Sequence, residues 1–247
     1  MSNFTDGLNG ISSNHILLAI IIIAGMLYSI LTKKLTIPAA CTGGIIALLL
    51  AIAFGFIGVA MMTTFFLTGS LATSWKADQK KKFHNVKESR TGRMASQVLA
   101  NAGVPACAGL ASIFYPGLSN LMLLVMAAAF ASATSDTLSS ELGMVYGRKF
   151  FNVITLKADD CGMDGVISLE GTLLGVLGSS IIGVLYAIDF GFDIRFVWII
   201  LAGTAGNLID SVLGALLERK ALIGNDGVNF LNTLSAGIVI LLLSMVH

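Results

Sequence analysis

The segment Ser135-Asp136-Thr137-Leu138-Ser139-Ser140-Glu141-Leu142-Gly143 places two carboxylates and four hydroxyls after an apolar run, 121–133, that carries no charge. A carboxylate at membrane depth costs about 2.5–3.5 kcal/mol, so each should meet a cation, a partner or water. A third acid, Asp210, shares one helical face with Asn207, Ser211 and Gly214, spaced i, i+3, i+4 and i+7. Asp164 and Glu170 lie in a third polar segment, Asp164-Gly165-Val166-Ile167-Ser168-Leu169-Glu170-Gly171-Thr172. Carboxylates among hydroxyls and amides, with no histidine nearby, suit a hard cation such as Mg²⁺. The bases Lys76, Lys87, Arg90 and Arg93 suit phosphate oxygens. Together they describe a magnesium–polyphosphate site. Phosphoryl transfer needs little more than positioning, a bridging metal and cations on the spreading charge.

Roles follow from residue type. Asp136 and Asp210 are the leading metal ligands and catalytic groups, with Glu141 and Asp164 behind them. Arg93, Arg90 and Lys76 would hold phosphates. Gln97 and Asn101 extend the Arg90–Arg93 stripe at spacings of 3, 4 and 4, and would contact nucleotide or substrate. Ser135, Glu170, Asn207, Asn229 and Asn232 complete the expected binding set. Simpler structural roles compete for several groups. A salt bridge to Arg90 or Arg93 would satisfy either Asp136 or Asp210. Ser168, Asn229, Lys33 and Lys34 read as helix caps or snorkelling side chains. Lys80, Lys81 and Lys82 suit anionic lipid, and Gly171, Gly175 and Gly178 suit close helix packing.

Other chemistries are excluded by what the sequence lacks. His15 and His247 fall at the face opposite the polar segments and His84 in a basic loop. There is no G-x-x-x-x-G-K-[ST], G-x-S-x-G or H-E-x-x-H motif. Cys41, Cys107 and Cys161 have no disulfide, zinc or redox spacing.

The elements that must position this set are membrane helices. Of the 247 residues, 55% are hydrophobic and only 12% charged, where a soluble domain carries about 25% charge. The chain reads as one integral membrane domain, 1–247, of the all-α polytopic class. The polar start, 1–14, lacks the basic flank of a signal peptide, so the first apolar run should be retained as a helix. Apolar runs occur at 15–31, 38–53, 54–68, 94–114, 121–135, 166–187, 196–217 and 230–246. The stretch between 37 and 69 reads either as one oversized helix or as two short ones turning near Gly55 and Gly58. Seven of the 15 Lys and Arg residues fall between Lys76 and Arg93, with further clusters at 33–34, 148–157 and 219–220. The positive-inside rule puts all four clusters in the cytoplasm, which requires two crossings between Lys34 and Lys76. The result is about eight transmembrane helices with both termini outside. The polar segments then all fall at cytoplasmic helix ends.

Six motifs resemble those of an integral membrane family. They are F-F-L-T-G-S-L-A-T (65–73), R-x-x-x-Q-V-L-A-N (93–101), S-D-T-L-S-S-E-L-G (135–143), D-G-x-I-S-L-E-G-T-x-x-G (164–175), G-N-L-I-D-S-x-L-G (206–214) and N-x-x-N (229–232). The family includes the plant phytyl-phosphate kinase of tocopherol synthesis and transmembrane relatives. The S-L-E-G-T piece also resembles the K-T-x-E-G signature of phosphatidate cytidylyltransferases and a related element of dolichol and phytol kinases. The resemblance implies a kinase that converts a prenyl monophosphate to the diphosphate, with CTP as donor. The basic element that precedes this signature in the cytidylyltransferases is acidic here, Asp159-Asp160, which argues against cytidylyl transfer.

The resulting expectation is a membrane enzyme with a cytoplasm-facing site open sideways to lipid. Its partners would be a nucleoside triphosphate, a prenyl phosphate and Mg²⁺. The rivals are a CTP-dependent cytidylyltransferase, a lipid-alcohol kinase and a transporter. Transport predicts polar groups near the bilayer midplane in both halves, whereas here they gather towards one face.

Overall fold

Gly55 resolves the stretch between 37 and 69. At φ +65° it joins α2 (Ile37–Phe54) directly to α3 (Phe56–Ser74), a conformation that glycine adopts at little steric cost. A Cβ on Gly58 would come 2.8 Å from the Leu50 carbonyl oxygen, so the two helices fold back closely on each other. Neither helix is short. At 18 and 19 residues, each is about 27–28 Å long, close to the roughly 30 Å hydrocarbon thickness.

The computed structural model describes residues 13–83 and 92–246. Besides α2 and α3 it contains α1 (Ser13–Leu31), a four-residue α4 (Ala77–Lys80), α5 (Ala95–Phe114) and α6 (Ser119–Tyr146). These are followed by α7 (Leu169–Phe190), α8 (Ile194–Leu213) and α9 (Asn225–Ser244). Among the described residues, seven helical segments are long and apolar enough to cross a membrane, and α1 contributes a shorter apolar stretch, His15–Leu31. The protein is a polytopic all-α membrane protein. Ile20, Ile45, Ile52, Leu71, Ile188 and Leu242 point outward as expected for a lipid-facing belt.

α6 is the central helix. Every residue from 123 to 135 is buried, and α3, α5, α7, α8 and α9 all pack against it. A helix apolar all round needs such a wrapping. It also runs further than the hydropathy pattern indicates, to Tyr146 rather than ending near Ser135. The hydroxyls of this polar stretch bond to helix carbonyls one turn back: Thr134 to Phe130 (2.7 Å), Thr137 to Ala133 (2.9 Å) and Ser139 to Asp136 (3.0 Å). Each polar group is thereby satisfied without leaving the helix. Counted from Ser119, Asp136 lies about 26 Å along α6, near the far edge of a roughly 30 Å hydrocarbon layer.

Between α6 and α7 the chain forms a small hairpin. β1 (Phe151–Asn152) pairs antiparallel with β2 (Val166–Ile167), with Phe151 opposite Ile167. Arg219 holds it to the end of α8 through both oxygens of Asp159, at 2.7 and 3.1 Å. Beyond α8, residues Gly214–Glu218 continue as a π-helical turn, and Gly165 of the hairpin lies against Ala215 there.

Candidate active site at one end of the bundle

Small residues bring the two leading carboxylates together. α6 and α8 run in the same direction, and Gly203 and Gly206 of α8 press on Ala131 and Ser132 of α6. A Cβ on Gly206 would lie 2.9 Å from the Ser132 Cβ. One turn further along each helix stand Asp210 and Asp136, neighbours that both line one cavity and whose carboxyl groups interact. On the other side of α6, Gly171, Gly175 and Gly178 of α7 pack against Gly143, Ser139, Ser135 and Thr134, as the small-residue stripe indicates. Asn232 of α9, fully buried, accepts a hydrogen bond from Ser132 and donates one to Asp210 Oδ1 at 3.1 Å. It orients Asp210.

These acids stand in a cavity of about 750 Å³, within the usual 300–1,000 Å³ range of ligand sites. Asp136, Glu141, Asp164, Asp210 and Glu218 line it, together with Arg93, Lys33 and Lys34. Gln97, Asn101, Asn207 and Asn229 add amides to the wall. Asn207 accepts from Ser139 Oγ at 3.0 Å, Asn101 donates to the Gln97 carbonyl at 3.0 Å, and Gln97 Oε1 accepts the Met94 amide at 2.9 Å. The hairpin supplies another side, with Phe150, Met163 and Val166.

Arg93 is fixed from both ends. Its backbone bonds the loop between α1 and α2, donating to Lys34 O (2.9 Å) and accepting from Thr36 N (3.1 Å). Its guanidinium lies over the Phe65 ring, 5.9 Å from the centroid. Gly69 of the F-F-L-T-G-S motif leaves room for it, since a Cβ there would sit 3.2 Å from an Arg93 terminal nitrogen. Burial lowers the guanidinium from its usual value, and the charges of Glu141 and Asp136 oppose that. An arginine stays protonated through such a shift.

The donor set fits Mg²⁺. Among the described residues no three or more His, Cys, Asp or Glu groups are placed to hold a metal ion by themselves. Mg²⁺ does not require one, since it commonly uses one or two carboxylates plus substrate phosphates and keeps several waters. Asp136 and Asp210 would supply such a pair, and adjacent carboxylates need a cation or a shared proton between them. Cys161 also lines the cavity, but burial pushes its thiol up, away from the thiolate a nucleophile needs.

Residues 19–237 match the family described as integral membrane protein DUF92. The chain belongs to this family. It is the integral membrane family that the six sequence motifs resemble. This DUF92 protein is 38% identical over 189 residues to the uncharacterised membrane protein MJ0933 of Methanocaldococcus jannaschii, covering 75% of each chain. It is 30% identical over 204 residues to the chloroplastic protein VTE6 of Arabidopsis thaliana, covering 77% of this chain and 60% of that protein. The uncharacterised membrane protein sll0875 of Synechocystis is 30% identical over 94% of this chain and 90% of its own length. No solved structure matches the chain.

Several expected site residues of this DUF92 chain stand apart from the cavity. Lys76 lies over the Tyr146 ring, 5.3 Å from its centroid. Glu170 faces Arg148, 3.9 Å from its Nε. Ser135 is buried against Gly175 rather than open to a ligand, and its hydroxyl is without a partner among the described residues. Asn232 lies behind Asp210, which it bonds. Glu141 borders the cavity but is bound by Lys80 at 2.5 Å. Lys80 itself is no lipid contact: it is buried and also donates to the Ala72 and Thr73 carbonyls, each at 2.8 Å. Arg90, Lys87 and His84 lie outside the described residues.

Three lining residues have other origins. Lys33 and Lys34, read as snorkelling side chains, border the cavity, and Lys34 also reaches Ser74 Oγ. Glu218 was missed altogether. The stripe Asn207, Asp210, Ser211 and Gly214, extended one more turn, leads to it. The π turn that carries Glu218 is a feature often found at functional sites.

Proposed function

We propose that this protein is a membrane-embedded kinase that moves a phosphoryl group from a nucleoside triphosphate, CTP in the first instance, to a prenyl monophosphate. The carrying observation is the facing pair Asp136–Asp210 in one cavity with Arg93, Lys33 and Lys34. Acids for a metal and bases for phosphates thus occur in one volume large enough for both substrates. Membership of the DUF92 family supports the same activity class. The density of bases at this end of the bundle supports a cytoplasm-facing site.

In the reaction, an oxygen of the prenyl monophosphate attacks the γ-phosphorus of the nucleotide. A P–O bond forms, the bond from the γ-phosphorus to the β,γ-bridging oxygen breaks, and the nucleoside diphosphate leaves with that electron pair. The attacking oxygen is already anionic at neutral pH, so no general base is required. Mg²⁺ held by Asp136 and Asp210 would neutralise charge on the phosphates. Arg93 presents a fork suited to two phosphate oxygens, while Lys33 and Lys34 act as point charges at the rim. Asn207 and Asn229 orient donor groups, and Asn232 keeps Asp210 in place.

The test is purified protein with phytyl or geranylgeranyl monophosphate and γ-labelled CTP or ATP, with and without Mg²⁺. Label recovered in a prenyl diphosphate is the expected result. Lipid labelled from α-labelled CTP instead would establish cytidylyl transfer. No turnover on a broad lipid panel, accompanied by ion flux in liposomes, would overturn the kinase.

A further inference from the structure

A second hollow adjoins the polar cavity. It holds about 140 Å³ and lies between α1, α2, α3 and α5. Met26, Gly43, Val59, Met62, Phe65 and Val98 form much of its wall. Arg93 and Gln97 line both hollows. The Arg93 guanidinium, laid over Phe65, therefore stands where an apolar groove meets a charged cavity. Glycines make the groove. A Cβ on Gly25 would meet nothing within 4 Å, and one on Gly43 would only reach Met62 at 3.8 Å and Val98 at 4.0 Å.

We infer that this groove receives the hydrocarbon next to the phosphate of a single-chain lipid phosphate, its first isoprene unit, while Arg93 holds the phosphate. The inference rests on the proposed kinase activity and specifies how that site selects its acceptor. Size agrees, because an apolar cavity of about 150 Å³ accommodates a benzene-sized group. Beyond the first unit the chain would continue into the bilayer along the lipid-facing helices. The wall also disfavours glycerolipids. Phosphatidate carries ester oxygens a few bonds from its phosphate, and burying them against apolar side chains without hydrogen bonds is unfavourable. A branched hydrocarbon beginning directly at the phosphate ester meets no such penalty.

The experiment uses the full chain in nanodiscs and a prenyl monophosphate bearing a diazirine on its first isoprene unit. Crosslinks should map to 21–29 or 59–66, with prenyl monophosphate competing and phosphatidate competing at least about tenfold less well. In parallel, Gly43→Leu and Gly25→Leu fill the groove. Each should raise KM for prenyl monophosphate about tenfold or more, with kcat and the nucleotide KM within about twofold. A general packing defect would instead move all three constants. Turnover by the wild type with crosslinks elsewhere, unchanged KM in both variants, or equal competition by phosphatidate would overturn the inference. Crosslinking in the groove with no turnover on any prenyl phosphate would leave the groove assigned and sink the kinase activity instead.

Discussion

Asp136 and Glu141 come from the same nine-residue segment and the same helix, yet they finish in opposite electrostatic surroundings. Glu141 meets Lys80 at 2.5 Å, and that lysine is capped by two carbonyls as well. Asp136 meets another acid, Asp210, held in place by Asn232. Five residues on a helix correspond to a rotation of about 140°, enough to put the two acids on different faces. An acid already neutralised by a protein cation has its charge accounted for. An acid beside a second acid needs a cation or a shared proton between them. On the proposed activity, the contrast separates a structural carboxylate from a ligand-binding one within a single motif.

The largest expected effect tests that separation at Asp136. Asp136→Asn should lower kcat/KM on the order of 10³-fold, about 4 kcal/mol of transition-state stabilisation, while circular dichroism and gel-filtration profile stay native. Mg²⁺ should raise the melting temperature of the wild type but not of this variant, and chelation should reproduce the loss in the wild type. A fully active Asp136→Asn would remove the acid pair from the site. Glu141→Gln should behave in the opposite sense. It leaves Lys80 buried without its counter-ion, so stability should fall by about 3 kcal/mol, read as a lower melting temperature, and turnover per folded molecule should change little. Loss of turnover in a stable Glu141→Gln protein would place Glu141 with the metal acids after all.

Arg93→Lys keeps the charge and loses the fork, so kcat/KM should drop on the order of 10-fold to 100-fold, chiefly through KM for the lipid phosphate. The smallest effect concerns the hairpin. The Asp159 carboxyl is pushed down to about 2, first by its hydrogen bond from Arg219, from an ordinary value of about 3.9 in an unfolded chain. A depressed native value means the pair stabilises fully above about pH 4 and loses that contribution as pH falls towards 2. Melting curves of wild type and Arg219→Gln should therefore differ at neutral pH and converge in acid.

Much of this was legible in the sequence because charge placement and helical spacing are local records of a global constraint. The excess of bases after Lys76 and at Lys33-Lys34 demands two crossings between them, and Gly55 provides the turn. The Asn207–Gly214 stripe identifies the face of α8 that carries Asp210. The run-on of α6 was hidden because the apolar run stops at its serines and threonines; their hydroxyls are satisfied by carbonyls a turn away, which hydropathy does not record. Lys80 was hidden for a related reason. Its position among Lys81 and Lys82 suggests a solvated cluster, and only tertiary contact with Glu141 distinguishes it. Lys76 and Glu170 have the right charge for the site, but Tyr146 and Arg148 are nearer.

The complete burial of α6 from 123 to 135 has a consequence for how this protein can diversify. Mutational tolerance should be steeply graded from axis to rim. Around Ala127–Ala131 even one added methyl group has nowhere to go, so the acid pair and its scaffold must be inherited as a block. The outward faces of α1 and α2 are exposed and can drift one residue at a time. Relatives with different acceptor ranges would then share a nearly invariant axis and differ in the helices around Gly25 and Gly43.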